Sequence, residues 1–350
     1  MEDIEQAKPV NKKRSLRILI VIIVLGLAVN LILPKMLDIG RAVDVLKAMT
    51  WWLVFAAFVS EMMVYLCYGF SLSCVLRIQG ENIGIIKSAL IFLGSYSIGV
   101  VAGGWVGAAA TTYGLFVDKG VKRSNALIAG LLPSMLANVP LILIAIIGIV
   151  TLQLGDMLTR GQLIQYSIYI FLLLIFTFGY LIALVFPKTA YKVVNWGLSN
   201  FSRIRKKPYD PDNTQAKLDR FFAAWKQMGK GRWFLPLLGT VGYYGFDVLM
   251  MYLVFRAAGY PIHAGVLFAG YGLPLLLAKM AFIVPGGVGV IETSMAALFT
   301  SFGVPNDIAL VVILGYRLIS FWIPFLLGFF SYVSLTRKKP EPTSLDNNTG

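Results

Sequence analysis

FIVPGGVGVIETSMAALFTSFG, residues Phe282 to Gly303, is apolar enough to lie inside a bilayer, yet it opens with Pro285, Gly286, Gly287 and Gly289 and carries an acid, Glu292. A proline followed by three glycines within four residues breaks a helix. Broken backbone at membrane depth persists only where protein or a water-filled cavity covers it. The spacing therefore predicts a half-helix from about Val288 to Ser301 whose N-terminus points into such a cavity. Free N–H groups and the positive end of the helix dipole would favour an anion there.

The rest of the chain puts that stretch in a membrane. Of its 350 residues 58% are hydrophobic and only 14% charged, and mean hydropathy is +0.76. Several apolar runs are long enough to cross about 30 Å of hydrocarbon, so the fold class is an all-α polytopic membrane protein. The net charge of +14 would suggest nucleic acid for a soluble protein, but here it follows from the bias of Lys and Arg towards cytoplasmic loops, and no nucleic-acid partner is expected. Cys67 and Cys74 share one predicted helix seven residues apart and read as small buried hydrophobes rather than a disulfide.

The first 17 residues form a basic cytoplasmic N-terminus ahead of a run from Leu16 to Leu33, which Pro34 stops without a small-residue cleavage site; it reads as a retained signal anchor. Ile39, Val43, Leu46 and Met49 have helical spacing and suit an interfacial helix. Longer apolar segments follow at about Trp51 to Leu76, Ile85 to Ala102, Ser124 to Leu154, Leu163 to Phe186, Trp233 to Phe255, Ala264 to Val284 and Asp307 to Leu335. Gly103 to Val117 and Pro285 to Ser301 are too short to span alone. Counting each as a return pass gives about eight transmembrane helices plus two Gly-broken half-helices. The transmembrane domain then covers residues 18–336, and the tail at 337–350 is polar and reads as disordered.

Charge placement supports this path. With both termini in the cytoplasm, 24 of the 31 Lys and Arg fall on the inner side and five on the outer, with Lys279 and Arg317 left at membrane depth. Without the two short passes, Lys119, Lys122 and Arg123 would lie outside and the alternation would fail. The hydrophilic segment 187–232 reads as interfacial, with Arg203, Arg205, Lys206 and Lys207 holding anionic lipid.

The halves are also related to each other. A shift of 183 residues lays Gly103, Gly104, Gly120, Val121, Ala126 and Leu127 on Gly286, Gly287, Gly303, Val304, Ala309 and Leu310. Repeat A, about 51–154, and repeat B, about 233–335, run through the membrane in opposite senses. Inverted repeats that each hold a broken helix are the pattern of secondary transporters, with a site near the midplane between them.

Pro285-Gly286-Gly287-x-Gly289, Glu292, Gly303-Val304, Tyr316-Arg317 and Pro324 together make the chain resemble the lysylphosphatidylglycerol synthase transmembrane-region family. That family includes the lipid-translocating membrane half of the bacterial multiple peptide resistance factor. Ala102-Gly103-Gly104 with Gly120 resembles the family's weaker first copy, and the likeness extends from about Trp51 to Leu335. The resemblance implies movement of a phospholipid or lipid-linked head group between leaflets. The sequence ends at Gly350 without the soluble aminoacyl-transferase domain of the fused proteins, so a stand-alone member that does not itself make lysyl-lipid is expected.

Candidate residues are those that are costly at membrane depth. Glu61 and Asp247 read as a protonatable pair from opposite repeats, joined by Glu292. Arg317 is the expected phosphate grip, with an ion pair to Glu292 or Asp247 as the competing reading. Gly103, Gly104, Gly107, Pro285, Gly286, Gly287 and Gly289, with Tyr316, complete the expected substrate site. Lys279 reads as snorkelling from a helix end. Gly99, Gly103 and Gly107, four apart, also suit close helix packing. The lone His263 and the absence of a Walker-type loop give no metal, no cofactor and no direct use of ATP.

The expectation is thus a flippase or scramblase for an anionic phospholipid or lipid-linked head group in the cell membrane, not an enzyme. A homo-oligomer or a partner lipid-modifying enzyme stays open. Two alternatives stand beside it: a membrane enzyme or subunit acting on polyprenyl-linked sugars or phospholipid heads, and an assembly partner without transport.

Overall fold

The computed structural model describes residues 39–101, 104–205, 210–227, 233–280 and 285–336. The expected signal anchor, the basic N-terminus, Gly103 and the polar tail lie outside the described residues. Helices are α1 (Ile39–Ala48), α2 (Trp51–Ile78), α3 (Ile85–Val101), α4 (Gly104–Asp118), α5 (Arg123–Leu136), α6 (Asn138–Leu154) and α7 (Arg160–Val185). They continue with α8 (Pro187–Arg205), α9 (Pro211–Gln227), α10 (Phe234–Ala257), α11 (Ala264–Met280), α12 (Val290–Ser301), α13 (Asn306–Arg317) and α14 (Ile323–Thr336). No strand occurs among the described residues.

Among the described residues, four stretches are long and apolar enough to cross a bilayer: Trp51–Ile78, Arg123–Leu154, Phe234–Ala257 and Asn306–Thr336. The second and fourth are each interrupted near their middle. Pro140 has no N–H to offer the carbonyl of Leu136, and the chain turns at Ala137 between α5 and α6. Pro324 does the same to Ser320, and a π-turn at Leu318–Trp322 joins α13 to α14.

Helices related by the 183-residue shift form the centre. α2 and α10 lie antiparallel, with Ser60 Oγ donating to Phe246 O at 2.8 Å and Ser71 Oγ donating to Pro236 O at 2.8 Å. Gly239 permits this approach, since a Cβ there would sit 2.8 Å from Cys67 O.

The remaining helices interlock across the two halves. α3 runs antiparallel to α14, with Ser331 Oγ donating to Leu90 O at 2.9 Å, Ser97 Oγ donating to Phe325 O at 2.8 Å, and Val100 packed with Phe321. α11 runs antiparallel to α6: a Cβ on Gly265 would lie 3.2 Å from Leu152, one on Gly272 would lie 3.0 Å from Ala145, and Lys279 reaches Asn138. The far end of α3 is therefore level with Phe321, the midpoint of Asn306–Thr336. The far end of α11 is level with Asn138, the midpoint of Arg123–Leu154.

α3 and α11 have 17 residues each, and both stop level with the midpoints of the long helices beside them. Each then turns back, α3 into α4 and α11 into α12, giving one two-armed hairpin per half. At the first tip a Cβ on Gly99 would stand 2.6 Å from Ala108 Cβ, so the arms touch. Gly104 (φ 68) and Gly287 (φ 63), 183 residues apart, both take the left-handed backbone that the reversal needs.

Outside this core, α8 and α9 form a second layer in the segment read as interfacial. The Tyr191 hydroxyl donates to Asp219, its ring packs with Phe222, and Trp196 is 71% exposed. The helical spacing of Ile39, Val43 and Leu46 falls in α1, with Leu46 exposed and Met49, just past its end, buried.

Candidate functional site

Where the two hairpin tips meet the α2–α10 pair, the helices leave a chamber of about 310 Å³. Its wall includes Glu61 and Tyr65 of α2, Tyr96 of α3, Gly104, Ala109 and Thr112 of α4, and Ser134 at the α5–α6 break. Tyr244 and Asp247 of α10, Lys279 of α11, Gly286 and Gly287 of the Pro-Gly-Gly turn, and Tyr316 and Arg317 of α13 close it. Because the tips stop beside the midpoints of the long helices, the chamber lies level with those midpoints.

On the α12 side a charged group is fully engaged. Pro285, Gly286 and Gly287 form a single 3-10 turn, and Gly286, Gly287 and Gly289 all have positive φ, at 62°, 63° and 88°. Three free amides would follow, but the helix closes its own end. The Gly289 N–H donates to Glu292 Oε2 at 2.7 Å, a capping arrangement in which the third helical residue reaches back. The other Glu292 oxygen accepts from Arg317 Nε at 2.6 Å, and Arg317 Nη2 donates to Gly286 O at 3.3 Å. The guanidinium also lies 4.2 Å from the centre of the Phe321 ring. Both charged residues are only 5% exposed.

Arg317 is thus in an ion pair with Glu292 and also lines the chamber, so the two readings open for it do not exclude each other. Glu292 and Gly289 stand behind the chamber wall, and Gly286 and Gly287 are in it. Gly107 is buried within α4 away from the wall, and the Pro285 side chain and Gly103 are outside what is described.

The opposite wall holds acids that are not neutralised. Asp247 Oδ2 accepts from Tyr271 at 2.7 Å and from Tyr316 at 3.4 Å, while Asp247 Oδ1 and Glu61 Oε2 are buried without a hydrogen-bond partner. Such oxygens are expensive to leave unpaired. Glu61 and Asp247, from opposite halves, both line the chamber.

Lys279, read from the sequence as snorkelling from a helix end, also lines the chamber. Its Nζ donates to Asn138 Oδ1 at 2.5 Å and lies 5.8 Å from the Tyr244 ring, and the residue is exposed. His263 accepts from its neighbour Gly265 N–H through Nδ1 at 3.2 Å, which caps a turn. No group of three or more metal-binding side chains occurs among the described residues.

A helical bundle with several stretches able to cross the bilayer, and a chamber with charged residues in its wall between two antiparallel halves, is a multi-pass membrane protein. This chain belongs to the lysylphosphatidylglycerol synthase TM region family, whose profile matches residues 15–328. It is 39% identical over 92 residues to a UPF0104 membrane protein of Pyrococcus horikoshii, covering 24% of this chain and 25% of that protein. A UPF0104 membrane protein of Methanocaldococcus jannaschii is 28% identical over 133 residues, 37% of this chain and 39% of that protein. One of Methanothermobacter thermautotrophicus is 41% identical over 85 residues, 23% of this chain and 24% of that protein. The matched stretches thus span well under half the length of these curated relatives.

Proposed function

We propose that the protein is a lipid flippase or scramblase that carries the head group of an anionic phospholipid or lipid-linked compound between leaflets of the cell membrane, with both termini cytoplasmic. The observation that carries this reading is the chamber between the two halves, lined by Lys279 with no carboxylate within ion-pair distance of it among the described residues. A cation in hydrocarbon costs at least about 2.5–3.5 kcal/mol, and packing alone gives no return for that cost. The hairpins α3–α4 and α11–α12 act as re-entrant loops from opposite faces, so that the site is approached from either side. At about 310 Å³ the chamber is at the low end of ligand pockets, sized for a head group while acyl chains remain in lipid. α8 and α9 rest on anionic lipid at the cytoplasmic face.

The test is purified protein in liposomes containing head-labelled phosphatidylglycerol, with inner-leaflet label followed by an impermeant quencher. Exchange well above protein-free liposomes is expected, and Lys279→Gln lowers it while elution in detergent stays unchanged. Equal exchange by wild type and Lys279→Gln removes the lysine from the mechanism.

A further inference from the structure

The charges lining the chamber do not balance with an anion inside unless protons enter as well. Lys279 contributes one positive charge, and the Arg317–Glu292 pair contributes none because its members neutralise each other at 2.6 Å. Glu61 and Asp247 contribute up to two negative charges, with Glu61 2% and Asp247 6% exposed and one oxygen of each unpartnered. The other titratable groups facing these acids are phenols. Tyr65 stands one turn along the same helix from Glu61, Tyr96 comes from α3, and Tyr243 and Tyr244 from α10; Tyr271 and Tyr316 bond Asp247 from α11 and α13. Phenols ordinarily titrate near about 10 and do not supply charge balance at neutral pH.

In the empty chamber, neutrality is reached when the two acids share one proton, leaving one carboxylate against Lys279. With a phosphodiester monoanion on Lys279, neutrality requires a second proton on the pair. Net charge in a low-dielectric site is costly enough to link the two events.

We propose that Glu61 and Asp247 form a proton site that couples translocation to pH, one proton travelling in the same direction as each monoanionic lipid head. The proton is taken from water on the loading side onto the open carboxylate and returned to water on the release side as the head group leaves. This rests on the transport reading above.

The experiment measures inner-leaflet quenching of labelled phosphatidylglycerol in liposomes, with pH varied equally on both sides, for wild type and for Glu61→Gln with Asp247→Asn. Wild-type exchange is expected to rise by up to about tenfold per unit of acidification while protonation limits it, and the double variant to exchange at a rate independent of pH. A pyranine-loaded vesicle with a lipid gradient should show internal acidification that follows lipid entry and is lost in the variant. Robust exchange by wild type at the same rate at every pH overturns the coupling and leaves the transport reading standing. No exchange at any pH by correctly folded protein overturns both. If the double variant elutes as aggregate, Glu61→Gln alone serves, and an unaltered pH profile in it removes Glu61 from the site.

Discussion

Glu292→Gln removes the negative charge from a buried pair while leaving an amide of nearly the same shape. The Gln oxygen can still accept from Gly289 N–H, now 2.7 Å away, so the cap at the start of α12 survives in part. Arg317 is left 5% exposed, with Gly286 O at 3.3 Å and the Phe321 ring at 4.2 Å as its remaining partners. Breaking a buried pair by removing one partner costs about 3–5 kcal/mol, most of it the uncompensated charge left behind. Replacing both members, as in Glu292→Gln with Arg317→Met, eliminates that charge and should cost less than the two single changes added together by about 2–3 kcal/mol. Equilibrium unfolding in lipid-detergent micelles, followed by tryptophan fluorescence, measures all four corners of the cycle. Strict additivity would refute the claim that the two side chains neutralise each other, and with it the argument that Lys279 is the cation left for substrate.

Further consequences concern the turn and the second acid. Gly286→Ala forces a left-handed residue to carry a Cβ 2.5 Å from the Phe321 ring, so it should destabilise by more than the roughly 1–2 kcal/mol of backbone strain alone. Gly303→Ala, also at positive φ but with open space around it, should cost only that strain, and equal losses in the two variants would contradict the packing described at the turn. Tyr271→Phe removes the 2.7 Å donor to Asp247 and should cost about 1.5–3 kcal/mol in the same unfolding assay; no change would mean that Asp247 does not depend on the phenol.

The sequence made much of this visible because membrane depth is set by composition and breaks are set by proline and glycine. Pro285 to Gly289 marked the second hairpin, the 183-residue shift paired Gly104 with Gly287, and the apolar runs around them placed Glu61 and Asp247 in the interior. The length of α3 and α11 was not legible. An apolar run of 17 residues reads equally as a crossing or as one arm of a hairpin, and only the neighbours it packs against, Phe321 for one and Asn138 for the other, show where it stops. That Lys279 opens onto the chamber was not legible for the same reason. The engagement of Glu292 with Gly289 and Arg317 was likewise one of several pairings the spacing allowed, and the fold had to choose among three acids and two bases.

The most direct measurement plugs the chamber after folding. In a background with Cys67 and Cys74 changed to Ala, Ala109→Cys places a single thiol in the chamber wall, and a bulky thiol reagent is added to liposomes already showing lipid exchange. The account predicts that exchange falls to the protein-free level on labelling and returns when a disulfide-linked reagent is reduced. Stoichiometric labelling with exchange undiminished would show that lipid head groups do not pass through this chamber.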